Sequence, residues 1–452
     1  MEKICECIYI DNSKGIIIKL DENGENYFSN GNIDIINEIN MIIATYPDCD
    51  HKKRVFSIIP NIATKAEFIL TNKCNMGCIY CYSSTRRNTN TIDFKQAAAV
   101  VDRLIINSQV KYLKTGRVKK IYISFHGGGE PSCEFGLLKA IVEYAKTRAN
   151  KSKTEINFEI TTNLSQNNDH ILDYYIQNGF FIHISMDGIK RVQDYQRPYA
   201  NGSTSFATVD RNIRYLSKRN ALFSVRLTIT DKSLSYAFES VKYLREMFPN
   251  IRFIKLAPLE TSDISLQNDL VSPDLSNYLK VMEEIDFLPW DEDSHYLSVF
   301  GETDMIVNSG MCAPVRFEQL IISPEGVVTA CHEDPLSEHF RYGEVTKCGE
   351  IIIDNKKVDI LKKERFDNII SGSCSDCAFR LLCMGGCKHR MMTTDRNMFC
   401  AIEKYTLIKH IKRIFSETNT LLNKMNQEYK RLEYCVNDKT GYIEIFSFLE
   451  VQ

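Results

Sequence analysis

Residues 67–81 read Glu-Phe-Ile-Leu-Thr-Asn-Lys-Cys-Asn-Met-Gly-Cys-Ile-Tyr-Cys. The front of this stretch is a short β-rich run, and behind it Cys74, Cys78 and Cys81 follow in C-x3-C-x2-C spacing. Three thiolates on a loop at a strand end can hold three irons of a [4Fe-4S] cluster and leave the fourth without a protein ligand. An open iron is a place for substrate or cofactor, as an open position marks a catalytic zinc. The same spacing also suits a zinc site or three unconnected thiols, so the flanking pattern has to decide.

Working outward, β-rich runs recur at 67–71, 119–125, 156–163, 180–188, 223–229 and 252–258. Helical periodicity fills residues 94–106, 135–149, 206–216 and 236–247 between them. Alternation of this kind predicts an α/β fold with a parallel sheet and right-handed crossovers. Polar residues at the strand ends favour a full or partial barrel with its site at the C-terminal edge of the strands. The expected divisions are a small α+β unit at 1–65, the barrel at 66–285, a loop-rich cysteine region at 286–402 and a C-terminal helix and tail at 403–452. In the first unit, β patterns at 8–11 and 15–20 precede a helical stripe of Ile33, Ile35, Ile36, Ile39, Ile42 and Ile43. Leu407, Ile408, Ile411, Ile414 and Phe415 predict one amphipathic helix over 403–434.

The second β-rich run ends in Gly127-Gly128-Gly129-Glu130-Pro131, where glycines let the backbone approach a ligand and a carboxylate could accept an ammonium. The third ends in Thr162-Asn163 and the fourth in Ser185-Met186-Asp187-Gly188, with Arg197 beyond it. The triplet with aromatic Tyr80 before its third cysteine, followed by this glycine turn, resembles the radical S-adenosylmethionine (SAM) enzymes. The resemblance implies a partial (β/α)6 TIM-like barrel. It also implies a cluster on Cys74, Cys78 and Cys81 whose open iron chelates SAM, and reductive cleavage to a 5′-deoxyadenosyl radical. Carried over residue by residue, it makes Tyr80, Gly128, Gly129, Glu130, Asn163, Ser185 and Arg197 SAM contacts.

Downstream, Cys312, Cys331, Cys374, Cys377, Cys383, Cys387 and Cys400 stand at defined spacing. Part of this set alone could be a zinc ribbon or a redox pair. The whole resembles the SPASM extension of radical SAM enzymes, which carries two auxiliary [4Fe-4S] clusters. The resemblance assigns Cys374, Cys377, Cys383 and Cys400 to one cluster and Cys312, Cys331 and Cys387 to the other. The second set is one thiolate short, so either Cys348 closes it or an iron stays open for a substrate thiol. Cys5, Cys7, Cys49 and Cys435 fit no site, and Cys133 reads as a buried small hydrophobe.

Sixteen cysteines in 452 residues are too sparse for a disulfide scaffold. A formal charge of −2, from 56 basic and 58 acidic side chains, gives no bulk attraction to nucleic acid or an anionic membrane. No apolar run approaches the roughly 18 residues of a membrane span, and a cytoplasmic enzyme is expected. The resemblance, spanning residues 68–400, implies a peptide maturase with three [4Fe-4S] clusters, SAM, an electron donor such as a flavodoxin or ferredoxin, and a substrate with a leader segment. A thioether crosslink is the expected product. The alternative is an anaerobic sulfatase-maturating enzyme, in which an aspartate usually stands where this chain has His332. A non-enzymatic iron–sulfur carrier or zinc-binding protein would leave the glycine turn unexplained.

Overall fold

The computed structural model describes residues 1–5, 7–13, 16–20, 25, 29–31, 33–44, 62–116, 119–286, 317–383, 385–393, 395–416, 431–435 and 442–447. The front unit is β1 (Glu2–Cys5), β2 (Ile8–Asp11), β3 (Ile16–Leu20) and α1 (Ile33–Ala44). The alternating region follows as β4 (Lys65–Phe68), α2 (Phe94–Thr115), β5 (Lys120–Phe125), α3 (Phe135–Ser152), β6 (Glu155–Thr162), α4 (Asp169–Gln177) and β7 (Phe181–Ser185). It continues with α5 (Lys190–Gln196), α6 (Phe206–Ser217), β8 (Phe223–Ile229), α7 (Ala237–Met247), β9 (Ile254–Pro258), α8 (Asp263–Gln267) and α9 (Leu275–Asp286).

Strands β4 to β9 pair in chain order and all in parallel. This is the expected partial (β/α)6 barrel. Alternation along each strand sorts its side chains. On β8, Phe223, Val225, Leu227 and Ile229 join the core under the helices, and on β4 Ala66 and Phe68 do so. Glu67, Ser224, Arg226 and Thr228 therefore face the lumen, which is polar because the helices already cover the apolar face. Asp93 and Gln96 close a capping box at the start of α2, and Gly116 ends it in the left-handed conformation.

The cysteine-rich region holds more regular structure than its sequence suggests. Strands β10 (Gln319–Ile322), β11 (Val327–Thr329), β12 (Arg341–Val345) and β13 (Ile351–Ile353) form an antiparallel meander, and β10 lies parallel to β4 on its free side. The result is a ten-stranded sheet. Strands of three to five residues carry too few alternations to stand out in sequence. Helices α10 (Asn355–Ile370), α11 (Arg380–Cys383), α12 (Lys388–Met391) and α13 (Arg396–Ser416) complete the region.

The expected helix over 403–434 is corrected at its end. Arg431–Cys435 is strand β14, and it pairs with β15 (Tyr442–Ser447), which in turn pairs with β3. Both chain ends thus build one five-stranded sheet in the order β1-β2-β3-β15-β14. Ile8, Ile10 and Ile17 of this sheet pack against Ile369, Phe379, Leu381, Leu382, Leu407 and Ile411. The small unit therefore rests on the cysteine-rich region. Among the described residues no helix is long and apolar enough to cross a membrane.

Candidate active site

The loop after β4 is held from both sides. On one, Gly77 N donates to Pro198 O at 2.7 Å, Ile79 N to Gln196 O at 3.1 Å, and Ala200 N to Asn75 O at 2.9 Å. On the other, Gly129 N donates to Thr71 O at 2.8 Å and Glu130 N to Lys73 O at 2.7 Å. That second contact explains the glycine run. A Cβ on Gly128 would stand 2.6 Å from Ile69 Cγ2, and one on Gly129 only 1.9 Å from Lys73 O. The glycine turn is thus the back wall of the cysteine loop.

Glu130 is buried and its carboxylate is already committed. Oε1 accepts from Ser132 N (3.1 Å), Ser132 Oγ (2.6 Å) and Thr162 Oγ1 (2.7 Å), and Oε2 accepts from Asn163 N (2.7 Å). The side chain expected to receive an ammonium therefore also ties the turn after β5 to the end of β6. Asn163 extends the tie, donating to Asn75 Oδ1 at 2.9 Å beside Cys74.

Tyr80 and Arg197 meet in one network. The Arg197 guanidinium donates to Tyr80 Oη at 2.7 Å, and that hydroxyl donates to Asp187 Oδ2 at 2.7 Å. Asp187 also accepts from Gln196 Nε2 (2.8 Å) and Thr228 N (2.9 Å). Arg197 is buried, and its Nε has no hydrogen-bond partner. Ser185 ends β7, half-buried, with its backbone in register with Arg226.

Cys74, Cys78 and Cys81 are half-buried on this loop. Burial pushes the Cys78 thiol up to about 12, Arg197 opposes the rise, and the nearby Cys81 and Cys74 add to it. Burial likewise raises Cys74, with Cys81 contributing. Three thiolates so close cannot all ionise without a compensating cation, which is the condition an iron–sulfur cluster meets. Cys133 lies beside them rather than in the core. It is half-buried, donates to Gln166 Oε1 at 3.0 Å, and its thiol is raised by burial and by nearby Glu130 and Cys74.

In the second group, burial raises Cys383, with Cys374 and Cys400 adding to it, and raises Cys400, with Cys377 and Cys374 adding. Cys374 and Cys400 thus act on Cys383, and Cys374 and Cys377 on Cys400. Cys331 is raised by burial, with Cys387 adding to it. Cys312 lies outside the described residues. Cys348 is exposed in the turn between β12 and β13, 3.0 Å from Thr346 Oγ1. Cys348→Ser is accordingly expected to leave the iron content of reconstituted enzyme unchanged, whereas Cys331→Ser lowers it. Iron assay against protein concentration checks both.

Strand alternation also seats residues that the motifs did not reveal. Glu67 Oε1 lies 3.1 Å from His332 Nδ1, and Oε2 lies 3.6 Å from His126 Nδ1. Burial alone would raise the Glu67 carboxyl, but the two imidazoles hold it well below its usual range, and burial that would lower His332 is outweighed by Glu67. Nearby, His389 Nε2 lies 3.2 Å from Glu260 and 3.6 Å from Glu333. The signal for Glu67 was available, as a charge that alternates with the buried Ala66 and Phe68 along β4. The pairing of His332 with it needs β10 and β11 seated beside β4.

Residues 68–253 match the Radical SAM superfamily. An uncharacterized protein of Methanocaldococcus jannaschii is 30% identical over 222 residues, 49% of this chain and 70% of that one. A cysteine-type anaerobic sulfatase-maturating enzyme of Clostridium novyi is 22% identical over 370 residues, 78% of this chain and 96% of that one. The solved structure of native anSMEcpe with bound AdoMet shares the fold, with a TM-score of 0.57 at 18% identity over 80% of this chain and 99% of that one.

Proposed function

The chain belongs to the radical SAM superfamily, and we propose that it is a maturase of a ribosomally made peptide, joining a cysteine sulfur to a carbon of another residue. When bound, the [4Fe-4S] cluster and SAM supply the 5′-deoxyadenosyl radical that abstracts hydrogen. Cys74, Cys78 and Cys81 hold that cluster, the Gly128 and Gly129 backbone offers the approach to SAM, and the Tyr80–Arg197–Asp187 network braces the loop. Cys374, Cys377, Cys383 and Cys400 hold a second cluster. Cys312, Cys331 and Cys387 hold a third, one thiolate short and so open to a substrate thiol. Loaded enzyme would carry about twelve irons per chain. Electrons would come from a flavodoxin or ferredoxin.

The observation that carries the peptide reading is the sheet built from both chain ends. It sits on the cysteine-rich region, where Arg380 meets Glu2 at 3.3 Å and Asn12 Nδ2 donates to Ala378 O at 2.9 Å. Among the described residues β1 has a strand neighbour on one side only. An extended leader could add there as a further strand, bringing the following core segment to the barrel. We therefore take residues 1–65 together with the C-terminal hairpin as the leader-binding element, 66–285 as the radical-generating barrel and 286–402 as the auxiliary-cluster region.

A second reading, sulfatase maturation, draws support from the Clostridium novyi relative, nearly all of which this chain covers. Against it, the base position is His332, whose imidazole faces the Glu67 carboxylate at 3.1 Å. One experiment separates the two. Reconstituted enzyme, SAM, reductant and a cysteine-containing peptide encoded beside its gene are incubated without oxygen and analysed by mass spectrometry. Crosslinking removes one hydrogen from sulfur and one from carbon and keeps the sulfur. Formylglycine formation instead replaces the thiol by an aldehyde and loses the sulfur. Failure to release 5′-deoxyadenosine from fully loaded enzyme would overturn both.

A further inference from the structure

We propose that Arg226 and Lys255 form an anchoring subsite in the barrel lumen for a carboxylate of the peptide substrate, one layer below the cysteine loop. The inference rests on the peptide-maturase reading and names the chemistry that its site selects. The two residues are register partners on the parallel strands β8 and β9, and Ser185 on β7 continues the same row. Adjacent strands lie about 4.8 Å apart, so partners in one row present their side chains side by side. Both point inward, because Val225 and Leu227 on β8 and Ile254 on β9 are buried in the core under the helices. Lys255 is exposed and Arg226 half-buried, so the row is open to a ligand.

Their charges are not matched by the protein. The other lumen cations each have a partner: His332 and His126 on Glu67, His183 on Glu159 at 3.8 Å, Arg390 on Glu260 at 3.7 Å, and Lys65 over the Tyr122 ring at 5.1 Å. Among the described residues no carboxylate lies within ion-pair distance of Arg226 or Lys255. Glu403 and, more weakly, Glu333 act on Lys255 from beyond ion-pair distance, and Glu333, which also acts on Arg226, pairs with His389. The Arg226 and Arg390 guanidiniums act against the Lys255 ammonium. An anion entering this row would relieve that repulsion.

The position suits the chemistry. Two residues beyond Arg226, Thr228 N donates to Asp187 Oδ1 at 2.9 Å, and the other oxygen of that carboxylate takes the Tyr80 hydroxyl of the cysteine loop. Arg226 thus lies two residues, about 7 Å along β8, below the point where that strand meets the Asp187–Tyr80 network of the cysteine loop. A residue whose carboxylate is gripped there would direct its carbon–hydrogen bonds upward toward the loop. A guanidinium fork beside an ammonium fits a planar carboxylate through paired, charge-assisted hydrogen bonds. That carboxylate could be an Asp or Glu side chain or the peptide C-terminus.

The test uses reconstituted holoenzyme with SAM and three synthetic probes: Ac-Ala-Cys-Ala-Glu-Ala-NH2, its Gln analogue, and Ac-Ala-Cys-Ala-Ala-Ala with a free C-terminus. The Glu peptide is expected to bind about tenfold more tightly than the Gln peptide, and the preference to vanish in Arg226→Gln/Lys255→Gln enzyme of unchanged iron content. Preference for the free C-terminal peptide, lost in the same variant, identifies the terminus as the source of the carboxylate. Equal binding of all three peptides to wild type overturns the subsite and leaves the maturase reading standing. If the variant keeps the preference but loses SAM affinity, read from the spectrum of the reduced cluster, the row serves SAM and the proposal fails. If no peptide binds while SAM is still cleaved, the lumen row does not capture a carboxylate and the subsite proposal fails, while the maturase reading still stands on its own test.

Discussion

Gly129→Ala is expected to abolish SAM cleavage while leaving the barrel folded. The added Cβ would stand 1.9 Å from Lys73 O and 2.5 Å from Lys73 C, both backbone atoms that no side-chain rotation can move aside. The cysteine loop must therefore shift away from the glycine turn, and Gly129 N loses its bond to Thr71 O. Cys74 is the next residue along, so the shift falls on the first cluster ligand. A displacement of about 1 Å at a reacting centre costs roughly 100-fold in rate, and loss of one cluster costs the whole activity. The measurement is iron per chain together with 5′-deoxyadenosine release. Gly136→Ala, where an added Cβ meets nothing within 4 Å, is the matched control. Full iron and full SAM cleavage in Gly129→Ala would show that the turn does not brace the loop.

The second large effect is expected at Glu130, and it separates a strut from a ligand. Glu130→Ala leaves four donors without their acceptor: Ser132 N, Ser132 Oγ, Thr162 Oγ1 and Asn163 N. The two hydroxyls can turn elsewhere, but the two backbone N–H groups cannot, and each unsatisfied buried group costs about 1–3 kcal/mol. A loss of about 3–5 kcal/mol in unfolding free energy is expected, measured by denaturant titration of the cluster-free chain. Glu130→Gln keeps the shape but turns an amide donor toward a donor, so it should lose about 1–3 kcal/mol in the same titration. If the carboxylate served mainly to bind the SAM ammonium, Glu130→Gln would instead lower SAM affinity and leave stability untouched.

Much of this protein was legible before any coordinates. The six parallel strands could be read because β-rich runs such as 119–125 are bounded by turn residues and alternate with helical stripes long enough to show their period. The cysteine motifs were legible because ligand spacing is a local property of the chain. Segments whose structure depends on distant partners were not. Strands β10 to β13 are too short to announce themselves, and β14 forms where a helical stripe was extrapolated, because β15, itself paired with β3, offers it a ladder. Tyr80 and Arg197 were picked out singly as cofactor contacts. Their joint attachment to Asp187 depends on how the loop after β7 folds back against the cysteine loop.

The sequence by itself determined the α/β class, the existence of the six parallel strands and the spacing of the cysteines, since all of these follow from local periodicity and local covalent separation. Tertiary structure alone decided that Gly129 stands against the Lys73 backbone, that the Glu130 carboxylate accepts from four of the protein's own donors, and that Cys348 is exposed in a turn. It also decided that the two chain ends share a sheet and that Arg226 and Lys255 stand side by side without counter-ions. The physical reason is common to these cases. Hydrogen bonds, steric approach and charge balance act through a few ångströms of space, and only folding brings residues separated by tens or hundreds of positions within that range.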